Sequence, residues 1–308
     1  MDSVRVHAPA TVSNVVCGFD CLGFALSEPF DEVVVRRIDE PVVRIIHLDD
    51  FALPTEPEKN VAGVALFAML DALKSSHGFE VEITKHIKPG SGIGSSSASS
   101  CGAVFAANRL TGNRFSLHEL AEFAMEGEKL ASGSRHADNV APCIFGGFTL
   151  VRSTDPLEIV SLDHPPLFAT IIHPQIEIKT SEARAILPAD IPLAAAIKQW
   201  SNLGSLVAAI QKGNTELMFR SMEDHIVEPV RKALIPKFDE LKSAAVKAGA
   251  IGGGISGSGP SVFAISIDLS VAEHVGQAMS RAYAETGIDF NVYVSAIAAQ
   301  GVRVVATP

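Results

Sequence analysis

Cysteine is scarce in this chain, and long apolar runs are missing. Four cysteines in 308 residues are too few for a disulfide framework. Cys17 and Cys21 lie close in sequence, but no second pair of cysteine or histidine ligands follows at zinc spacing. No uncharged apolar run reaches about 18 residues, the length that a membrane-spanning helix needs. We therefore expect reduced thiols, no structural zinc and no transmembrane segment.

A secretion signal and an excess of basic residues are also missing. Residues 1–7 have neither a basic stretch nor an apolar core, so we expect no signal peptide and a cytoplasmic protein. The chain contains 25 Lys+Arg against 35 Asp+Glu, a formal net charge of −10. Nucleic acids and anionic membranes normally require a basic footprint. The charge therefore argues against both partners and favours a small-molecule substrate.

Strands and helices alternate in both halves of the sequence. The first half has strand patterns at 4–6, 31–38, 42–48 and 79–83, a helix from the candidate cap Asn60 to about Ser76, and a helix from a capping box at Ser116 and Glu119 to about Leu130. The second half has strand patterns at 167–172, 261–267 and near 292 and 302, helices between 181 and 248 and at 271–285, and a glycine-rich loop at 252–260. A composition shift near 152–166 predicts domains 1–155 and 156–308. The mixture predicts an α/β or α+β fold.

A glycine- and serine-rich segment spans Pro89 to Ser99, between a strand pattern and a helix of small residues. Its three glycines allow backbone N–H groups to approach an anion closely. Ser95 or Ser96 begins the helix, whose N-terminal dipole favours a phosphate. A hydroxyl in that first turn can also ligate Mg²⁺ bound to the phosphate. A flexible linker is the alternative, but the patterned flanks argue against it.

Several familiar catalytic motifs do not match this segment. It lacks the lysine of a Walker A loop, and the chain has no Asp-Phe-Gly or His-Arg-Asp triplet of protein kinases. No Gly-x-Ser-x-Gly elbow centres any of its serines, which argues against a serine hydrolase. The glycines of 252–257 match a dinucleotide-binding fingerprint, but a helix precedes them and a strand follows, the reverse of the required order. We expect a different type of phosphate cradle.

The segment resembles the central motif of the galactokinase, homoserine kinase, mevalonate kinase and phosphomevalonate kinase (GHMP) superfamily. Four further segments resemble that superfamily in the same order along the chain: 8–23, 136–142, 228–231 and 252–261. The first of them is similar to the homoserine kinase version. The resemblance implies a two-domain α+β fold, with a ribosomal-protein-S5-like N-terminal half and a ferredoxin-like C-terminal half. It also allows a homodimer.

The resemblance further implies ATP and Mg²⁺ as cofactors. The residues it aligns with ATP binding are Asn60, Pro89, Gly90, Ser91, Gly92, Ile93, Gly94, Ser95, Ser96 and Ser97. Asn60 could instead serve only as a helix cap. The segment at 252–261 is implied to pack beside the loop.

Glu128 lies on the apolar stripe of its helix, where an unpaired carboxylate is costly. Mg²⁺ would offset that cost, and the resemblance assigns the metal to Glu128 and Ser96. The alternative is an ion pair with Lys129 or Arg135 in solvent. Several relatives carry an aspartate eleven residues after this glutamate, whereas this chain has Asn139, as homoserine kinases do. Asn139 can orient a hydroxyl but cannot accept its proton, so we expect the proton to leave late.

An amino acid substrate needs partners of opposite charge. Asp20 could pair with its ammonium group, with Asn14 and Asp138 nearby, and Arg184 and Arg231 could bind its carboxylate. The resemblance aligns these residues with substrate binding, together with His136, Asn139, Thr180 and Gly257. It implies transfer of the ATP γ-phosphoryl group to the side-chain hydroxyl of L-homoserine. The alternatives are a kinase for a mevalonate-type alcohol or a sugar, and a non-catalytic sensor of nucleotides or amino acids.

Overall fold

Two β-sheets organise the chain, and the computed structural model describes residues 3–305. Within these residues the larger sheet has seven strands: β1 (Ser3–Val12), β2 (Leu22–Ile38), β3 (Val43–His47), β4 (Gly78–Thr84), β5 (Phe148–Thr154), β6 (Leu157–Leu162) and β11 (Arg303–Val305). The smaller has four: β7 (Phe168–Pro174), β8 (Gly252–Ile255), β9 (Val262–Ser266) and β10 (Phe290–Ala296).

The larger sheet has the order β11-β1-β2-β4-β3, and β5 joins β2 to β6. All neighbours are antiparallel except β3 and β4. The start of β2 pairs with β5 and its end pairs with β4. The sequence pattern placed the start of this strand too late, at Asp31. Residues Leu22 to Leu26 are all buried, so they lack the alternation that a half-buried strand shows.

Ten α-helices lie within the described residues. In the first half they are α1 (Val61–Leu73), α2 (Ser95–Leu110), α3 (Leu117–Ser132) and α4 (Val140–Phe145). In the second half they are α5 (Thr180–Ala185), α6 (Leu193–Lys212), α7 (Thr215–Ser221), α8 (Glu228–Arg231), α9 (Phe238–Lys247) and α10 (Leu269–Ala284). Asn60 caps α1, and Ser116 and Glu119 form the predicted capping box of α3. Helix α1 ends earlier than predicted, where Lys74 takes a left-handed conformation.

Helices pack on both sheets, and the two halves of the chain meet between β2 and β9. Helix α2 packs on β1 and β2, and α1 and α3 flank it. Helices α9 and α10 pack against the smaller sheet. Phe263 of that sheet meets Phe24 of β2, with ring centroids 5.8 Å apart. The two halves therefore share a core, and the predicted α+β class is confirmed. In the described part of the chain, none of the helices has the length and apolarity to cross a membrane.

Residues 252–255 form strand β8, whereas the sequence predicted a loop there. Glycine has low strand propensity, but crowding requires it here. A Cβ on Gly253 would lie 2.0 Å from the carbonyl oxygen of Phe263, and one on Gly252 would lie 2.9 Å from the Met222 side chain. The order helix, strand, loop, strand still differs from a dinucleotide-binding unit. Residues 155 and 156 lie in the turn between β5 and β6, and the domain boundary predicted there stays a prediction.

Candidate active site

A cavity of about 360 Å³ lies between the two halves. The predicted residues that line it are Asn14, Asp20, Pro89, Gly90, Ser91, Gly92, Gly94, Ser95, Ser96, Glu128, His136, Asp138, Asn139, Thr180, Arg184, Arg231 and Gly257. Of the described residues that were predicted to bind a ligand, Asn60, Ile93 and Ser97 do not line it. The cavity thus brings together every residue predicted to bind the substrate.

The glycine-serine loop is fixed by the second half of the chain. The hydroxyls of Ser256 and Ser261 donate to the carbonyl oxygens of Gly92 (2.7 Å) and Ser91 (2.6 Å). Gly92 has φ of 80°, and a Cβ there would lie 2.6 Å from the carbonyl oxygen of Gly259. The segment at 252–261 therefore packs beside the loop, as the resemblance implied.

The start of helix α2 faces the cavity. Gly94, its N-cap, is left-handed and has no side chain to cap the first-turn N–H groups. Those groups and the helix dipole form an anion site. The Ser95 hydroxyl donates to the carbonyl oxygen of Ile87 (2.7 Å). The half-buried Ser96 side chain is therefore the hydroxyl best placed to meet a ligand.

Lys85 lines the cavity and was not predicted. It forms a buried ion pair with Asp31 and donates to the carbonyl oxygen of Ser95 (2.6 Å) and the hydroxyl of Ser99 (3.0 Å). The pair thus ties the larger sheet to the first turn of α2. The strand alternation contained a signal for it, because Lys85 continues the buried positions Val81 and Ile83.

Glu128 is buried at the cavity wall, as predicted. Its Oε1 has no hydrogen-bond partner in the described part of the chain. Burial raises the pKa of Glu128 to about 7, and the neighbouring hydroxyls of Ser96 and Ser97 oppose that rise. Arg135 pairs instead with Glu126, at 3.1 Å. The predicted alternative, a solvent ion pair of Glu128 with Lys129 or Arg135, is therefore not what the structure shows, because Glu128 is buried and forms neither pair in the described residues.

Glu128 and Ser96 suit a divalent cation that also binds phosphate. Mg²⁺ is usually held by one or two carboxylates together with substrate phosphates and water. Among residues 3–305 there is no cluster of three or more histidine, cysteine, aspartate or glutamate side chains that could hold a metal by itself. Glu128 has a carboxylate oxygen without a hydrogen-bond partner in the described residues, and it lies near Ser96 at the start of α2. These residues fit a Mg²⁺ ion whose other ligands come from a bound phosphate and water.

Two hydroxyl groups orient the Asn139 amide. Its Oδ1 accepts a hydrogen bond from the Thr11 hydroxyl (2.8 Å), and its Nδ2 donates to the Ser13 hydroxyl (2.8 Å). Thr11 is buried and was not predicted. A Cβ on Gly94 would lie 2.0 Å from the Thr11 hydroxyl oxygen, so the loop, Thr11 and Asn139 pack as one unit. Burial, with a further contribution from Asp20, raises the pKa of the adjacent Asp138.

An acid and two guanidinium groups lie at the other end of the cavity. Nη2 of Arg184 donates to both carboxylate oxygens of Asp20, at 2.8 and 2.9 Å. Arg231 is 2% exposed and donates to the carbonyl oxygens of Ala183 (2.9 Å) and Gly257 (3.3 Å). No carboxylate of residues 3–305 lies within ion-pair distance of Arg231. Burial, and then the charge of Arg184, lower the pKa of Arg231.

The remaining predicted residues hold this end of the site together. Asn14 accepts from the Asp20 N–H (2.7 Å) and donates to the carbonyl oxygen of Gly257 (2.8 Å). Nε2 of His136 lies 3.4 Å from Nη2 of Arg184. Asn60 is different: its side chain caps α1 and donates to the carbonyl oxygen of Pro54 (2.7 Å). Its side chain is buried and caps α1, and its predicted contact with ATP stays a prediction.

The chain belongs to the GHMP kinase family. The family's N-terminal domain matches residues 60–147, and its C-terminal domain matches residues 206–285. Within that family its full-length relatives include homoserine kinases. The one from Chloroherpeton thalassium is 43% identical over 99% of this chain and 100% of the relative. The one from Pyrococcus abyssi is 39% identical over 94% of this chain and 96% of the relative.

Solved structures agree with this placement. The crystal structure of homoserine kinase from Cytophaga hutchinsonii is 52% identical, covers 99% of this chain and 98% of its own, and superposes with a TM-score of 0.95. A mevalonate kinase from L. major, solved with R-mevalonate, shares the fold at 16% identity and a TM-score of 0.72, covering 94% and 95% of the two chains. The two-domain architecture of the family is therefore confirmed for this chain.

Proposed function

We propose that this chain transfers the γ-phosphoryl group of ATP to the side-chain hydroxyl of L-homoserine, giving O-phospho-L-homoserine for threonine biosynthesis. One observation carries the proposal. A single cavity joins a phosphate-binding loop to an acid and two guanidinium groups, which are the partners that the phosphates of ATP and a zwitterionic amino acid require. The full-length similarity to homoserine kinases supports the same substrate.

The loop and the start of α2 bind the phosphates of ATP. Residues of this loop and the first turn of α2 line the cavity, and the helix dipole adds a partial positive charge there. Ile93 and Ser97 are fully buried and act by fixing the shape of the loop. Lys85 is already paired with Asp31, so it holds the first turn of α2 in place.

Ser96 and Glu128 hold Mg²⁺ next to the phosphates. When bound, the ion neutralises charge on the phosphoryl group that is transferred. The protein prepares this site by keeping a carboxylate buried and one of its oxygens without a partner in the described residues.

Asn139 positions the acceptor hydroxyl without removing its proton. Its oxygen already accepts from Thr11, and an amide is not a base at neutral pH. Phosphoryl transfer depends mainly on alignment and charge stabilisation. We infer that the hydroxyl proton leaves late and passes to the phosphoryl group.

The substrate is held at both of its charged groups. Asp20 takes the ammonium group, with Asn14 and Asp138 beside it, and Arg184 and Arg231 take the carboxylate. The Asp20–Arg184 ion pair separates when substrate binds. Asp20 then pairs with the ammonium group, and Arg184 pairs with the carboxylate. His136, Thr180 and Gly257 complete the wall around the substrate.

We place this reaction in the cytoplasm, with small molecules and not nucleic acid or membrane as partners. The resemblance also allows a homodimer, and light scattering of the purified protein measures that state directly.

The proposal is tested by ADP release from ATP and Mg²⁺ with purified protein. L-homoserine, mevalonate, galactose and no acceptor are compared at equal concentrations. We expect turnover with L-homoserine alone. Turnover only with another alcohol would overturn the assignment of L-homoserine as the substrate. ADP release that does not depend on an acceptor would show hydrolysis of ATP and would overturn the proposed transfer.

A further inference from the structure

The ring of Phe19 lies against both guanidinium groups of the substrate site. The Cζ atoms of Arg231 and Arg184 lie 4.9 and 5.4 Å from the ring centroid. Phe19 is half-buried and borders a small void behind Arg231, next to Asn14 and Gly257. The lining of the active-site cavity in residues 3–305 does not include it. Phe19 therefore contacts both arginines without lining the cavity.

The two guanidinium groups repel each other when no substrate is bound. Arg184 is balanced by Asp20, but Arg231 is buried and its hydrogen bonds go to the backbone carbonyl oxygens of Ala183 and Gly257. After burial, the charge of Arg184 lowers the pKa of Arg231, and the charges of Asp20, Asp224 and Asp138 oppose that change. The face of an aromatic ring carries negative potential and attracts cations within about 6 Å. The same ring meets both cations, so it opposes their separation.

We propose that Phe19 is a positioning residue that holds Arg184 and Arg231 as one carboxylate-binding pair. Through that pair it sets the preference for a substrate with a free α-carboxylate. The inference rests on the proposed function, because it assigns the carboxylate of L-homoserine to these arginines. A leucine at this position would fill most of the same volume, but it has no π face to attract a cation.

The test compares Phe19→Leu and Phe19→Tyr with the wild type. For Phe19→Leu we expect KM for L-homoserine to rise about tenfold, the factor that corresponds to one partly desolvated cation–π contact. KM for ATP should stay unchanged. Competitive inhibition by 3-aminopropan-1-ol, the analogue without the carboxylate, should also stay unchanged. Phe19→Tyr keeps an aromatic ring, so its KM for L-homoserine should be close to that of the wild type.

A second substitution separates charge from packing. Trifluorophenylalanine in place of Phe19 weakens the negative face of the ring at almost constant shape, so it should raise KM for L-homoserine even if the leucine variant is unstable. Phe290→Leu is the matched control, because Phe290 of β10 is another half-buried ring, packed on Tyr283 of α10. It should leave KM for L-homoserine unchanged.

The outcomes distinguish this inference from the proposed function. A wild type without turnover on L-homoserine would contradict the proposed function itself. An active wild type with unchanged KM in both the leucine and the fluorinated variants would overturn the role of Phe19 alone. Equal weakening of L-homoserine and 3-aminopropan-1-ol would overturn it as well, because it would show a general loss of pocket shape.

Discussion

Glu128 lies on the buried, otherwise apolar face of helix α3. It is 7% exposed, and burial brings its pKa to about 7. A fold that only needed stability would place an apolar side chain there, because an unpaired buried charge is costly. The burial of this carboxylate supports the proposed role of Glu128 in holding Mg²⁺.

Replacing Glu128 by alanine should remove that ligand contact. We expect kcat to fall more than about tenfold because charge on the phosphoryl group loses its counter-ion. Turnover is measured over a Mg²⁺ titration. Glu122→Ala is the control, since Glu122 lies on the exposed side of the same helix. Retention of more than about a tenth of the wild-type kcat in the Glu128 variant would contradict the metal role.

Arg231 should affect one substrate and not the other. In Arg231→Ala we expect KM for L-homoserine to rise about tenfold or more, because a charged, bidentate hydrogen bond to the carboxylate is lost. KM for ATP should stay unchanged. The neighbouring Lys232→Ala variant is the control, because the Lys232 side chain is only half-buried and pairs with Asp239. Equal increases in both KM values would count against the assignment.

The elements depend on long-range pairs as well as on local signals. The Lys85–Asp31 ion pair joins residues 54 positions apart and supports the first turn of α2. Asp31→Ala leaves a buried ammonium group without its counter-ion. We expect the free energy of unfolding to fall by about 3–5 kcal/mol, measured by urea denaturation. The exposed Asp50→Ala variant should change it by less than about 0.5 kcal/mol. Equal losses in both variants would show that the buried pair has no special role.

Local signals explain which elements could be predicted. The caps of α1 and α3 and the alternation of β4 depend on residues that are close in sequence, so they could be predicted. The start of β2 was missed because it is buried on both faces. Strand β8 was missed because three of its four residues are glycines, and crowding requires glycine at positions 252 and 253. These are properties of the assembled fold, so no local pattern indicates them.

The same distinction applies to the site. The cavity brings together every residue that the motif resemblance assigned to substrate binding, and these roles stay predictions. The resemblance did not identify Thr11, whose contact with Asn139 spans 128 positions, nor Lys85 and Phe19. These three act through other side chains, and only the folded molecule shows their partners.

The stability of the whole molecule should depend on pH through His173. This histidine is 2% exposed in β7, and burial, helped by the charge of Lys88, lowers its pKa to about 4 from 6.5. The unfolded chain therefore binds a proton that the folded chain excludes between these values. Above pH 6.5 His173 is neutral in both states, and the full free energy of unfolding is present. As the pH falls from 6.5 through 4, His173 lowers the free energy of unfolding by about 3 kcal/mol in total.

Urea unfolding of the wild type and His173→Gln over this pH range measures that contribution. The wild type should lose stability faster than the variant on acidification, because the variant has no group to protonate there. Parallel curves would show that His173 protonates equally in both states.

The central claim is that one cavity aligns ATP with the side-chain hydroxyl of an amino acid. The most direct test is phosphorus NMR, with proton coupling, of the product formed from ATP, Mg²⁺ and L-homoserine. We predict a phosphomonoester signal split into a triplet by the two hydrogens of the adjacent CH₂ group. Formation of inorganic phosphate alone, or of a phosphate on the carboxylate, would contradict the account.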